Sequence, residues 1–181
     1  MTLSVVLLHD EMRDKTGKLV STALTPIDLH DISRSCTTYG VERFYISHSS
    51  RLMRDLAETL RSFWELGYGA EYNPNRKEAL SKTCIVSSLD EALAHAELET
   101  GCIPKLVATS AHSGGDRTTF KDFRTTVHDG HYLLMLGTGW GMSEQLLDRA
   151  GIFLEPINGP TQYNHLSVRG ALAIMLDRIL G

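Results

Sequence analysis

Short apolar runs alternate with segments of helical periodicity along nearly the whole chain. Runs rich in Val, Ile and Leu at 3–9, 43–47, 83–86, 105–109, 132–136 and 152–154 predict buried strands. The clearest helix is predicted over 50–66. There Leu52, Leu56, Leu60 and Trp64 recur at every fourth position, with Met53, Ala57 and Phe63 beside them. Arg51, Arg54, Asp55, Glu58 and Arg61 take the opposite face. Ser50 suits its N-cap and Gly67 the position past its end. Further helices are predicted over 27–39, from Ser87-Ser88 to Glu99, over 143–149 and over 165–180. Strand and helix alternate throughout, which predicts an α/β fold with a mostly parallel sheet flanked by helices. In such sheets ligands bind beyond the carboxyl ends of the strands, so chemistry is sought in the loops that follow them.

Composition narrows the class. The 181 residues suit a single domain over 1–181. A chain of this size buries roughly 70% of its unfolded surface, enough for a core without metal or disulfide staples. With 42% hydrophobic and 22% charged residues, disorder, collagen and coiled coil are excluded. No apolar stretch approaches the length of a membrane span, and Met1-Thr2-Leu3-Ser4 lacks the basic start of a secretory signal. Cys36, Cys84 and Cys102 are widely spaced and read as reduced thiols, which predicts a cytoplasmic protein. The net charge of −4 makes no demand for nucleic acid.

Three loops carry the candidate chemistry. They are Thr109-Ser110-Ala111-His112-Ser113-Gly114-Gly115, then Gly137-Thr138-Gly139-Trp140-Gly141, then 155–160 running into Tyr163-Asn164-His165-Leu166-Ser167-Val168-Arg169. The glycine loop invites comparison with a dinucleotide fingerprint, with Glu155 as the ribose acid. The match fails where the third glycine would fall, at Met142, and in the shortness of the helix that follows. Glycines this dense after a buried strand favour close backbone approach to a ligand over a plain turn. The last helix carries six consecutive apolar residues, Ala171 to Leu176, which predicts burial between the sheet and a second subunit, or else packing inside a monomer core. No HExxH, CxxC or GxSxG pattern occurs, so the sequence supports neither a metal site nor a serine hydrolase.

The order of strand, GTGWG loop, short helix, LEPI-x-G strand and Tyr-Asn-His-Leu-Ser-Val-Arg helix start resembles the SPOUT, or trefoil-knot, RNA methyltransferases. The segment Thr25 to Cys36, followed by Tyr39-Gly40-Val41, resembles their first motif, and Leu106 to Ala111 resembles the strand end placed against the cofactor. The resemblance is closest to a bacterial subgroup of SAM-dependent RNA methyltransferases, found alone or fused behind a tRNA guanine-N1 methyltransferase. It implies a C-terminal deep trefoil knot, S-adenosylmethionine (SAM) as cofactor, tRNA or rRNA as substrate, a homodimer, and a partner methyltransferase. Carried over by position, the cofactor pocket comprises Thr109, Ser110, Ala111, Leu136, Gly137, Gly139, Glu155, Ile157, Gly159, Asn164, His165, Leu166 and Ser167. The chain departs from ribose-methylating members at Thr138, Trp140, His112 and 164–167, which leaves a ribose hydroxyl and a base nitrogen both open as targets.

For transfer, Arg34 is the leading candidate, since the resemblance places it near the target or its phosphate and its fork suits phosphate. Asp28, Asp31 and Arg34 share a helix face at steps of three. Asp28 reads as structural, and Asp31 as either a base or a dipole partner. His165 is either a proton acceptor or a capping or core histidine, and Ser167 stands beside it. Asn164 suits the N-cap of the last helix, and Arg169 either binds phosphate or pairs with Glu155. The loop at 67–77, with Tyr68, Tyr72, Arg76 and Lys77, suits unpaired bases or else covers a core edge. Two other functions remain open from sequence: a nicotinamide or flavin enzyme, and a non-catalytic SPOUT-like domain that binds RNA or a partner.

Overall fold

The computed structural model describes residues 2–111 and 115–181. Its centre is a sheet of six parallel strands: β1 (Thr2–Leu8), β4 (Phe44–Ser47), β5 (Thr83–Val86), β6 (Lys105–Ala108), β7 (His131–Leu136) and β8 (Ile152–Phe153). They lie in the order β5-β4-β1-β7-β6-β8. β1 and β7 pair along most of their length, with Val5 beside Leu134 and Leu7 beside Leu136. The period of two sends alternate residues to opposite faces. Leu3, Val5 and Leu7 of β1 join Tyr132, Leu134 and Leu136 of β7 in one core, while Val6 and Leu8 join Leu133 and Met135 in another. This double burial is why both strands read as unbroken apolar runs.

The first core is closed by α1 (Pro26–Thr38), α2 (Arg51–Glu65), α4 (Pro74–Ser81), α6 (Phe120–Thr126) and α8 (Val168–Leu180). The second is closed by α5 (Leu89–Thr100) and α7 (Glu144–Asp148). The predicted mostly parallel sheet flanked by helices is therefore the observed layer architecture. A short 3-10 turn at Val127–Asp129 leads into β7.

Four local expectations need correction. A hairpin of β2 (Met12–Arg13) and β3 (Leu19–Val20) interrupts the alternation between β1 and α1. Its turn is held by Asp14, whose carboxylate accepts from the Thr16 and Lys18 backbone N–H groups at 2.7 and 3.0 Å. Residues 67–77 are not a loop: they contain α3 (Tyr68–Tyr72) and the start of α4, capped by the Asn73 side chain on the Arg76 N–H. In α2 the buried side is Met53, Ala57, Leu60 and Trp64, whereas Leu52 is 71% and Phe63 52% exposed. The apolar stripe is wider than the core can cover, so one edge of it meets solvent. Finally, α8 begins at Val168, and its N-cap is Ser167, whose Oγ accepts from Gly170 N at 3.2 Å. Asn164 does not cap it.

Candidate active site

A cavity of about 540 Å³ lies beyond the carboxyl ends of β6 and β7, at the start of α8. That volume suits a nucleoside-sized ligand. Every position carried over for the cofactor lines it except Gly159, which is exposed and would accept a Cβ without meeting any atom within 4 Å. Leu136, Ile157, Leu166, Met142 and Met175 supply apolar wall. Sequence reasoning missed Thr22, Ala23, Thr138 and Met175 as lining residues, and did not place Asp28 or Arg169 there. Thr22 and Ala23 follow the hairpin, whose D-x-x-G turn at 14–17 was the one signal for it.

The glycine loop is shaped by the hairpin. Trp140 N donates to Arg13 O at 3.0 Å, and Arg13 N donates to Gly141 O at 2.8 Å. Gly139 has φ +60°, and a Cβ there would sit 3.1 Å from Arg13 O and 3.3 Å from the Thr22 methyl. A Cβ on Gly137 would lie 2.8 Å from Met142 Cγ. The close approach that these glycines permit is thus made first by the protein itself. The Thr138 hydroxyl donates to Leu8 O at 3.1 Å and is hydrogen-bonded to the Thr22 hydroxyl, which ties the loop to the end of β1.

Several polar groups of the cavity are already engaged. Thr109 Oγ1 donates to Met135 O at 2.8 Å. Asn164 Nδ2 donates to Ala111 O at 3.1 Å, joining the two loops that face each other across the cavity. The Glu155 carboxylate accepts from Phe120 N at 2.8 Å and so caps α6. Arg169 does not pair with Glu155. Its Nη1 lies 3.2 Å from Asp28 Oδ1 and its Nε 3.4 Å from Asp31 Oδ2. Asp28 also accepts from the Thr25 hydroxyl at 2.6 Å, at the start of α1.

A shallower groove opens next to the cavity. Asp31, Arg34, Ser35, Thr38, Tyr39, Gly170 and Ala173 line it, and it shares Ser167 and Arg169 with the cavity. The candidate transfer residues are therefore gathered around one mouth: Arg34 and Asp31 in the groove, His165 in the cavity wall, Ser167 in both. His165 is exposed and rests edge-on against Tyr163 at 5.3 Å, so it is neither a cap nor a core residue. His112 lies outside the described residues, as do Ser113 and Gly114.

Behind the cavity is a buried histidine pair. His9 and His48 stack at 5.4 Å between ring centroids. His9 Nδ1 donates to Ser47 O at 3.2 Å, and His48 Nε2 donates to Thr22 O at 3.1 Å. Burial pushes the His9 imidazole below its ordinary pKa, with His48 adding to the effect. Among the described residues, no group of three or more His, Cys, Asp or Glu side chains is placed to hold a metal ion. Among the described residues, no helix is long and apolar enough to cross a membrane.

The comparisons with known proteins agree with this geometry. A family model for SAM-dependent RNA methyltransferases matches residues 2–181. A tRNA (guanine-N(1)-)-methyltransferase of Oleidesulfovibrio alaskensis is 38% identical over 179 residues, which are 99% of this chain and 42% of that protein. The chain thus spans less than half the length of that relative. An uncharacterised protein of Aquifex aeolicus is 34% identical over 97% of this chain and 86% of its own length. Among solved structures, the SpoU methyltransferase AviRb of Streptomyces viridochromogenes, in complex with the cofactor AdoMet, superposes with a TM-score of 0.62 at 18% identity, covering 99% of this chain and 57% of that one. A probable methyltransferase of Bordetella pertussis gives 0.66 at 14% identity, covering 98% and 94%. With a family model matching residues 2–181 and a fold shared with solved SpoU methyltransferases, the chain belongs to the SAM-dependent RNA methyltransferases.

Proposed function

We propose that the cavity at the start of α8 holds SAM and that the adjoining groove presents an RNA nucleotide to it. The observation that carries this reading is the shared wall: Ser167 and Arg169 belong to both spaces. The residues present fit the group. Leu136, Ile157 and Leu166 offer an apolar slot for adenine, and the loop backbones at 109–111 and 137–141 offer polar edges. Bound there, SAM supplies a methyl group already activated on a sulfonium.

The chain's own work is then positioning. Arg34, exposed in the groove, holds a phosphate of the RNA. Asp28 and Asp31 fix Arg169 at the boundary between cavity and groove, so Asp31 orients instead of acting as a base. His165, exposed at the mouth, takes the proton from the nucleophile, a ribose hydroxyl or a base nitrogen of tRNA or rRNA. Ser167 holds the first turn of α8 against both spaces.

We infer that segment 155–167 threads past the loops after β6 and β7 as a trefoil knot. β8 lies at the sheet edge beyond β6, yet α8 packs against α1 and α6, and Asn164 is tied to Ala111 on the way. We also infer a homodimer. Ala173 and Ile174 are only half-buried on α8, and Ile27, Tyr163 and Leu166 are exposed apolar groups near the cavity. A partner methyltransferase in the same cell, or on the same chain, fits relatives more than twice as long as the matched region.

Calorimetry with SAM tests the cofactor reading, and no heat at millimolar ligand with folded protein overturns it. Labelled SAM with RNA from cells lacking the protein tests the activity, and mapping the label identifies the atom. SAM binding with no label in any RNA favours a non-catalytic binding domain.

A further inference from the structure

The region 63–77 forms a surface that the cofactor cavity does not use. Trp64 of α2 is packed edge-on by His30 of α1 at 5.9 Å and by Phe63 at 5.1 Å, and the Arg76 guanidinium lies over its face at 4.3 Å. α3 can lie against this cluster only because residue 69 is glycine. A Cβ there would be 2.7 Å from Trp64 Cε3 and 2.9 Å from Phe63 O. The seating presents Tyr68 and Tyr72 outward, stacked at 6.0 Å and 24°. Each is 72% exposed, so neither covers a core edge.

Its arginines are unlike most others in the chain. Arg13, Arg43, Arg51, Arg61, Arg149 and Arg169 each pair with a carboxylate. Among the described residues, Arg34 and Arg76 have no ion pair and no side-chain hydrogen bond, a state they share with Arg124 and Arg178. Nearby carboxylates are engaged elsewhere: Asp31 by Arg169, and Glu65 by Arg61 at 2.6 Å. Glu71 and Glu78 are exposed on the same two short helices, so the patch is not strongly cationic. Stacking, not charge, is its main resource.

Arg34 relates the patch to the groove: it lines the groove and stands one helical turn from His30, which packs on Trp64. We propose that this platform binds an unpaired stretch of RNA next to the target nucleotide. Tyr68 and Tyr72 stack on bases, and Arg76 and Arg34 take the backbone phosphates that lead into the groove. This rests on the methyltransferase reading above and names where its substrate is gripped.

The test is fluorescence anisotropy of the full chain with a labelled single-stranded RNA of mixed sequence and with the same sequence as a duplex. The wild type is expected to prefer the single strand. Y68A and Y72A should each weaken single-strand binding by about 10-fold or more, the usual cost of one lost stack. Y68F and Y72F should restore it, and SAM affinity by calorimetry should stay at the wild-type value. Single-strand affinity unchanged in Y68A/Y72A, while wild type still methylates RNA, overturns the platform alone. A wild type that binds SAM but neither binds nor methylates RNA overturns the underlying reading as well. Loss of self-association in Y68A/Y72A by sedimentation, with RNA affinity unchanged, assigns the surface to a second copy of the chain and also overturns the proposal.

Discussion

At the residue scale, two glycines and one arginine make opposing predictions. Gly139 has a positive φ and no room for a Cβ against Arg13 O. Gly139→Ala is expected to cost about 1–2 kcal/mol of stability and to lower SAM affinity, measured by urea unfolding and calorimetry. Gly159→Ala meets open space and is expected to leave both at wild-type values. Equal effects from the two would remove the structural distinction between them. Arg169 satisfies Asp28, which is only 9% exposed. Arg169→Met leaves that carboxylate without its charged partner. Because Arg169 itself is partly solvated, the expected loss is about 1–2 kcal/mol, less than for a fully buried pair. Asp28→Asn in the same background should recover part of it.

At the element scale, the β2–β3 hairpin is a clamp on the glycine loop. It supplies backbone partners to Trp140 and Gly141, and its Met12 packs in the core beside Met142. Replacing 13–19 by a short glycine linker is expected to leave the sheet folded by circular dichroism. It should weaken SAM binding by about 10-fold or more, since loop ordering is then charged to binding. Unchanged affinity would show that the loop holds its shape alone. The hairpin was hard to see in the sequence because each strand is two residues long, too short for any alternation to register. The exposed edge of α2 was misread for the opposite reason. Periodicity locates an apolar stripe, but how much of it is covered depends on which helices pack nearby.

At the scale of the whole molecule, the buried and half-buried histidines give stability a pH dependence. Burial holds His9 and His30 below their ordinary pKa, with Arg76 and Arg34 adding to the effect at His30. Asp10 and Asp28 oppose it at His9, and Asp31 opposes it at His30. The unfolded chain takes up these protons near pH 6.5, the folded chain only at lower pH. Between those points the unfolded state binds more protons, so stability falls as pH falls below about 6.5. The urea midpoint should therefore drop between pH 7 and pH 5. Asp10, Glu91 and Glu99, held below their ordinary values by hydrogen bonds from Ser21 and Ser49, Ser87, and Arg43, should add a further loss only in more acid solution. His9→Gln should flatten the first drop, and a flat wild-type profile down to pH 5 would refute the assignment.

Much of this molecule is set by local and periodic information. Strand positions, the layer class and the loops that carry chemistry follow from doubly buried apolar runs and from glycine placement, because these depend on residue type and near neighbours alone. The cofactor positions came from the resemblance, and all but Gly159 line one cavity. What only the tertiary structure decided is pairing across distance. Arg169 meets Asp28 and Asp31, not Glu155; Asn164 reaches Ala111 and leaves the cap to Ser167; and Trp64 of α2 meets His30 of α1. Each partner lies tens of residues away in sequence, where no periodicity extends. Such contacts are chosen by packing, which selects among chemically equivalent partners only once the elements are in place.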